Sequence, residues 1–273
     1  MNIKRKKTVQ LKKFYYITGF IIVFLATFVF WVDSLNNYDL KAIDFPAIKD
    51  KIKEEIKSIN SVNKSAAEPT AVNTVDQEGG ETILLKVPFT PQAPDGKWED
   101  QRFQDGCEEA SVLMAIKWVR GESLTLAEAK ATILDMSDWE LQSYGVFADT
   151  NAQDTADRLL RDYFSYKNYK VTSDVTTKSI VAELKLGKLV IVPANGQKLF
   201  NPHFKAPGPK EHMLVIRGYD PAKDEFITND PGTRVGEGYR YPTAVLVEAV
   251  ADYPTGNHLS TVSDKKAMII VSK

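Results

Sequence analysis

Cysteine is nearly absent from this sequence, with Cys107 alone among 273 residues. A single cysteine forms no intramolecular disulfide, which excludes a disulfide-stapled scaffold and points to reactivity as its special role. Histidine is also scarce, at three residues, and the sequence contains no cluster of cysteine and histidine of the metal-binding type. We therefore expect neither a metal nor a cofactor.

An excess of basic charge is missing as well. The chain has 35 basic and 36 acidic residues, a formal charge of -1. A nucleic-acid-binding domain is expected to be net basic or to present a basic stripe, so no nucleic-acid partner is predicted. The hydrophobic fraction of 43% is ordinary for a globular chain, but part of it is concentrated near the N-terminus.

Charged residues are absent from the stretch 14–32, whereas residues 1–13 carry six Lys and Arg. At about 1.5 Å per residue, a helix over this stretch just crosses a hydrocarbon core of about 30 Å. The run is longer than the apolar core of a signal peptide, and the basic flank belongs in the cytoplasm. We predict an uncleaved single-pass anchor that places the rest of the chain outside; a cleaved signal peptide and a buried core helix are the alternatives.

Residues 33–81 have little of the large apolar content that a core needs. Isoleucines at 48, 52, 56 and 59 have helical spacing with a charged opposite face, which predicts a juxtamembrane helix; a partner-binding helix is the alternative. Residues 61–80 are rich in Asn, Ser, Thr and Glu and are predicted to be a flexible tether. The globular domain is then predicted over residues 82–273.

Within that domain helices are predicted first and antiparallel strands later, which favours an α+β architecture with the N-terminal helices packed on the sheet. The predicted helices are 108–120, 125–135, 150–163 and 177–186, with Thr125 and Thr150 as N-caps. The predicted strands are 83–88, 189–194, two runs around His212 and Asp230, one near 239–241, and 267–271.

Cys107 precedes the first of these helices. A helix N-terminus lowers a thiol pKa because its backbone N–H groups carry partial positive charge, and Gly106 permits close approach by a substrate. The alternative is that Cys107 is a small buried hydrophobe. Because carboxylates would oppose a thiolate, we expect Glu108 and Glu109 to point away, toward cationic partners.

His212 and Asp230 flank a predicted hairpin. If the hairpin folds about residue 221, His212 faces Asp230, which would hold the imidazole as the third member of a triad does. A one-residue slip would reverse the faces. The alternatives are a structural histidine and an aspartate that only opens a turn. His203 and His258 are expected on the surface, and the loop 195–211 is expected to overhang the cleft.

Five segments together resemble a known family of papain-like cysteine peptidases. Val87–Gln92, Trp98 and Asp105–Ser111 are similar to the start of a bacteriocin-leader (double-glycine) peptidase-like domain, in cysteine peptidase family thirty-nine. His212–Asp220 and Asn229–Thr233 are similar to its second half. The resemblance covers about residues 82–273 and implies a papain-like fold.

The resemblance implies Cys107 as nucleophile, His212 as base and Asp230 as orienter. It also implies a glutamine in the oxyanion hole. Gln92 matches the Val-Pro-x-x-x-Gln context and is favoured, while Gln101 has the six-residue spacing found in papain. The sequence departs from many relatives in having Cys-Glu-Glu-Ala where Cys-Gly-Pro is more usual. No ATP-binding cassette follows the domain, so leader-peptide export is not expected.

These observations predict a membrane-anchored, extracytoplasmic thiol hydrolase that cleaves peptide or isopeptide bonds in peptides or cell-wall peptides. Two alternatives stay open. One is a peptidoglycan amide hydrolase or a transglutaminase-like acyltransferase, and the other is a catalytically silent papain-like scaffold at the cell surface.

Overall fold

The computed structural model describes residues 80–256, 258 and 264–273. The predicted flank, the predicted anchor and most of the predicted linker lie outside the described residues. In the part of the chain that is described, no helix has both the length and the apolar character that crossing a membrane requires.

A seven-stranded antiparallel sheet forms the centre of the described fold. Its strand order is β2-β7-β3-β4-β5-β6, with β1 paired to β4 beside that path. The strands are β1 (Ile83–Leu84), β2 (Tyr169–Thr172), β3 (Leu189–Ala194), β4 (His212–Asp220), β5 (Glu225–Asn229), β6 (Glu237–Pro242) and β7 (Met268–Val271). The predicted α+β class with an antiparallel sheet is confirmed.

The helices lie mainly before the long strands. They are α1 (Gln101–Gln104), α2 (Cys107–Arg120), α3 (Leu126–Tyr144), α4 (Ala152–Thr155, continued as a π-helix over Ala156–Tyr163), α5 (Thr177–Lys185) and α6 (Thr243–Ala249). A 3₁₀ turn covers Gly196–Leu199.

Two helix boundaries differ from the prediction. Helix α3 continues past the predicted end at Asp135, because the sequence has no glycine or proline before Gly145, whose φ of 79° ends the helix. Thr125 caps α3 as predicted, but Thr150 does not cap α4. The cap is Asn151, whose side chain accepts from the Asp154 N–H at 2.8 Å.

The sheet is covered on both faces. Side chains of α2 and α3 form one apolar cluster with Met213 and Val215, and those of α5 and α6 form a second with Leu214 and Ile216. Alternate residues of β4 therefore enter different clusters, which is why this strand reads as a continuous apolar run. Burial on both sides fixes β4, and with it the position of His212 at the start of the strand.

The first strand is shorter than predicted. Only Ile83 and Leu84 join the β4 ladder, and the chain leaves the sheet before Pro88, which has no N–H to donate. The side-chain amide of Asn229 instead donates to the carbonyls of Val87 and Pro88, at 3.3 and 3.2 Å. This contact connects the segment leading to the cleft with the end of β5.

Candidate active site

Cys107 begins a helix that is buried on nearly all sides. Gly106 occupies the N-cap without a side-chain hydrogen bond, and a Cβ at this glycine would lie 2.5 Å from the Arg102 carbonyl oxygen. Only glycine allows α1 and α2 to approach so closely. The Cys107 side chain is 5% exposed and lines a cleft at this helix end.

The structure brings His212 and Asp230 together. Nε2 of His212 lies 2.8 Å from Oδ1 of Asp230, and both side chains are buried. Nε2 is occupied by this contact, so Nδ1 is the ring nitrogen left for a thiol. The ring of Phe204 lies edge-on to the imidazole, with centroids 5.3 Å apart, and holds the ring from another side.

The pairing arises from a different register than predicted. Near the turn Asp220 pairs with Glu225, a register that would place Asp230 opposite Val215, on the wrong face for His212. A bulge at Arg217 shifts the register by one, so that Val215 pairs with Asn229. Continued by one step, this register makes Asp230 and His212 diagonal neighbours on one face.

Asp230 is fully buried and surrounded by donors. Its Oδ1 also accepts from the Gly232 N–H at 3.0 Å, and its Oδ2 accepts from the Tyr241 hydroxyl at 2.6 Å and the Asn201 amide at 3.4 Å. Burial acts to raise the pKa of Asp230, but the positive charge of the imidazole and these hydrogen bonds outweigh it, so the pKa is lowered. Asp230 therefore stays ionised and holds the imidazole through Nε2.

Cys107 and His212 line the same cleft. The main chain of Met213, next to His212, also hydrogen-bonds the Cys107 sulfur. Among the hydrogen bonds of the described residues, however, none joins the sulfur to the imidazole. The thiol donates to Oε2 of Glu108 instead, at 3.0 Å.

The expectation that Glu108 and Glu109 point away toward cations is wrong. Glu108 accepts from the Cys107 thiol and from the Tyr253 hydroxyl, and Glu109 accepts from the Ser137 hydroxyl at 2.8 Å. Both carboxyl groups face inward because α2 is buried on the sides that carry them. Burial and the neighbouring Glu108 carboxylate raise the pKa of Cys107 well above its usual value. The resting nucleophile is thus a thiol.

Glu109 and Glu140 form a second buried acidic pair behind the site. One oxygen of Glu109 and both oxygens of Glu140 have no hydrogen-bond partner, although Arg158 lies 3.9 Å from Glu140. Burial raises the pKa of Glu140 to about 9 and that of Glu109 well above its usual value. Glu140 is therefore neutral near pH 7.

The two candidate oxyanion-hole glutamines are placed differently. Gln92 lines the cleft, but its Nε2 donates to the carbonyls of Phe103 and Gln104, at 3.0 and 2.8 Å, and its buried Oε1 is unpartnered. Gln101 does not line the cleft, and its amide donates to Asp105 at 2.9 Å. Gln104, which the sequence reasoning did not consider, is the second glutamine in the cleft wall. Gln92 must turn its amide before it can donate to an oxyanion.

The cleft has a volume of about 920 Å³. The predicted overhang is confirmed, because residues 203–209 and Glu211 form part of its lining. Trp98 and Val235 add exposed apolar surface to the lining, and Arg234 adds a positive charge. The cleft therefore offers apolar and cationic walls around the sulfur and the imidazole.

One group in the described part of the chain has ligand atoms spaced as around a metal ion. Ligand atoms of Asp149, Glu211 and His258 lie within 4.8 Å of one another. His258 is exposed on one side, as expected, and its Nδ1 lies 2.9 Å from Oδ2 of Asp149. This contact holds two of the three side chains together, and the charge of Glu211 acts to raise the pKa of Asp149.

Comparisons with known proteins identify the family of this chain. The model of the Peptidase C39-like family matches residues 84–255, well over half of the chain. The chain belongs to the Peptidase C39-like family. A search of curated proteins finds no match. A crystal structure of a candidate C39-like peptidase from Bacillus anthracis is 15% identical, with a TM-score of 0.45 over 71% of this chain and 99% of that chain. A likeness this distant carries no argument about chemistry.

Sequence reasoning missed the second layer of the site. Tyr241 and Asn201 hold Asp230, and Tyr253 holds Glu108. The tyrosines of β6 were visible as a cluster near residues 239–241. No local pattern connects Asn201 or Tyr253 to the residues that they contact, because 29 and 145 positions separate these pairs.

Proposed function

We propose that this chain is a cysteine peptidase that cleaves peptide or isopeptide bonds with Cys107, His212 and Asp230. We further propose that residues 14–32 anchor it in the cell membrane, with the peptidase domain outside the cytoplasm. The observation that carries the proposal is the 2.8 Å contact between Asp230 and His212, which lines the same cleft as Cys107. Membership of the Peptidase C39-like family supports the same chemistry.

The chemistry follows from the roles of these side chains. Nδ1 of His212 takes the thiol proton as the Cys107 sulfur attacks the carbonyl carbon. His212 then returns that proton to the leaving amine as the C–N bond breaks, which leaves a thioester on Cys107. Water hydrolyses the thioester and regenerates the thiol. Asp230 holds the ring orientation throughout, and the backbone N–H groups at the start of α2 supply donors for the oxyanion.

The cleft walls support a peptide substrate. Trp98, Phe204 and Val235 provide apolar contact area, while Lys205 and Arg234 attract carboxylates. Peptides and cell-wall peptides both combine apolar and acidic side chains. Hydrolysis of a peptidoglycan amide and transfer of the acyl group to an amine use the same thioester, so they differ only in the substrate and the acceptor.

A catalytically silent binding module is the second candidate. The hydrogen bond from the Cys107 thiol to Glu108 favours it, because a thiol held by a carboxylate is a poor nucleophile. The orientation of the Gln92 amide, turned onto two backbone carbonyls, favours it too.

Peptide release from cell-surface proteins tests the proposal. Cells producing the full chain are compared with cells producing Cys107→Ala, and peptides in the medium are identified by mass spectrometry. We expect a defined set of peptides released only by the wild-type protein, and covalent labelling of that protein by a thiol-directed peptide electrophile. Labelling without released peptides but with shortened cell-wall stem peptides would favour the amide hydrolase. Neither labelling nor release would favour the silent module.

A further inference from the structure

Glu108 gives the Cys107 thiol a partner that the proposed triad does not use. Its Oε2 accepts from the sulfur at 3.0 Å, and its Oε1 accepts from the Tyr253 hydroxyl at 2.6 Å. All three side chains are buried. Both carboxylate oxygens are thus occupied, one by the nucleophile and one by a phenol from the C-terminal part of the domain.

No cation balances this carboxylate within the described part of the chain. The ionisable groups that act on Glu108 are Tyr253, Cys107 and Asp149, and Glu109 lies next to it on α2. Burial raises the pKa of Glu109 as well as that of Glu140, and Glu140 is neutral near pH 7. The phenol, the thiol and the backbone N–H of Glu108 itself are the groups that favour a negative charge on Glu108, and a second negative charge on the sulfur 3.0 Å away is strongly opposed.

We propose that Glu108, held by Tyr253, gates the nucleophile by its protonation state. When Glu108 is ionised, Sγ–H donates to Oε2 and Cys107 stays a thiol. When Glu108 is protonated, the direction of the hydrogen bond reverses: Oε2–H donates to the sulfur and stabilises the thiolate. Glu108 thus touches the reacting atom and decides whether His212 can remove its proton. The effect of this gate on hydrolysis rests on the proposed function, whereas the effect of Glu108 on the thiol does not.

The proton balance of the gate is simple. One proton from solvent binds Oε2 of Glu108, and the S–H proton moves to Nδ1 of His212, which creates a thiolate–imidazolium pair. Burial raises the pKa of Glu108 to about 7, so the gate operates near neutral pH. Below that pH the thiol is more acidic, and above it the ionised carboxylate suppresses the thiolate.

Alkylation of the full-length protein by iodoacetamide measures this gate directly. Because Cys107 is the only cysteine in the chain, all of the thiol signal belongs to it. For wild type we expect a rate that rises with pH, shows a shoulder near pH 7 as Glu108 ionises, and rises again at higher pH. Glu108→Gln should lose the shoulder and react about tenfold faster at pH 8, since a neutral amide lowers the thiol pKa by about one unit.

Two further variants keep the test sharp. Glu109→Gln is the matched control, because Glu109 is also buried on α2 but contacts Ser137 rather than the sulfur; its profile should keep the shoulder and change less than about twofold. Tyr253→Phe removes a donor to Oε1 and so raises the pKa of Glu108, which should move the shoulder to higher pH. If Glu108→Gln does not fold, the shift of the shoulder in Tyr253→Phe tests the gate, and an unshifted shoulder would overturn it.

Superimposable alkylation profiles for wild type and Glu108→Gln would overturn the gate. So would a slower reaction of Glu108→Gln at pH 8, since it would make Glu108 an activator of the thiol. The outcome is separable from the proposed function. A shoulder that depends on Glu108, without any peptide release, would keep the gate and reject the peptidase, and peptide release without the shoulder would do the reverse.

Discussion

Two carboxylates act on opposite ends of the same Cys107–His212 pair, and their surroundings differ. Asp230 and Glu108 are both almost fully buried. Asp230 accepts from an imidazole, a backbone N–H, a phenol and an amide, and its pKa is lowered. Glu108 accepts from a phenol, a thiol and its own backbone N–H, and burial raises its pKa to about 7. Burial alone does not decide ionisation; the number and charge of the donors do.

Glu140 extends the comparison to a carboxyl group without donors. Neither of its oxygens has a hydrogen-bond partner, and burial raises its pKa to about 9. From Asp230 to Glu108 to Glu140, falling donor numbers accompany a rising pKa. The same side-chain chemistry thus gives a permanent anion, a group that titrates near neutrality and a neutral acid within one domain.

Replacing Asp230 or Glu108 by its amide should give the clearest contrast between the two carboxylates. Asp230→Asn keeps the shape but removes the charge that fixes the imidazole tautomer, and we expect hydrolysis to fall by about 10³- to 10⁴-fold. Glu108→Gln should instead increase thiol reactivity. Initial rates on a peptide substrate identified by the release experiment measure the first effect. A fall of less than about tenfold would mean that Asp230 does not orient His212.

Gly232→Ala tests how tightly the Asp230 side of the site is built. A Cβ at this position would lie 2.9 Å from Cε1 of His212 and 2.9 Å from Cε1 of Phe204. The imidazole must shift, and we expect hydrolysis to fall about 10- to 100-fold because small misplacements of catalytic groups are costly. Gly80→Ala, whose Cβ would meet Pro221 at an ordinary 3.7 Å, is the control and should leave the rate unchanged. Equal rates for both variants would show that the ring can yield.

The Asp230 side of the site could be predicted from the sequence, whereas the Glu108 side could not. The candidate triad was visible because each member lies at an element boundary: Cys107 begins α2, His212 begins β4, and Asp230 follows β5. Hydrophobic period and turn residues locate such boundaries. The antiparallel sheet and most helices were predictable for the same reason.

The direction of the Glu108 side chain was not predictable in that way. On a helix with a single buried face, Glu108 would have turned to solvent, but α2 is covered on nearly all sides by β4, α3 and distant residues such as Tyr253. The register shift at Arg217 is likewise a tertiary property. Turn composition alone placed the hairpin centre at residue 221, whereas the pairing beyond the bulge is centred on residue 222. Contacts between distant segments decided both features.

Glu140→Gln tests the carboxyl group that has no hydrogen-bond donor. The folded pKa of about 9 lies above the ordinary 4.5, so wild type has no penalty below pH 4.5 and loses stability as pH rises toward 9. An amide does not ionise, and we expect Glu140→Gln to be more stable by about 1–3 kcal/mol at pH 8, with little difference at pH 4.5. Urea unfolding at both pH values measures this. Glu237→Gln, an exposed site, should change stability by less than about 0.5 kcal/mol. An equal gain in stability at both pH values would show that the ionisation of Glu140 does not cause the loss of stability.

Tyr241→Phe should have the smallest effect, because it removes one of four donors. The Tyr241 hydroxyl donates to Oδ2 of Asp230 at 2.6 Å, and the amide of Asn201, which lies 2.7 Å from that hydroxyl, is free to turn fully to Oδ2 after its loss. A lowered carboxyl pKa stabilises the fold above the ordinary 3.8, and this stabilisation is lost as the pH falls through the folded value. With one donor fewer the folded pKa is less depressed, so the stabilisation is smaller and its loss is complete at a higher pH. We expect the acid limb of unfolding to move up by less than about one pH unit, with about 1 kcal/mol lost at pH 7. Tyr253→Phe leaves Glu108 with only the thiol and its own backbone N–H as donors and should move the titration of its carboxyl further. A larger shift in Tyr241→Phe than in Tyr253→Phe would show that donor number does not set the difference between the two sites.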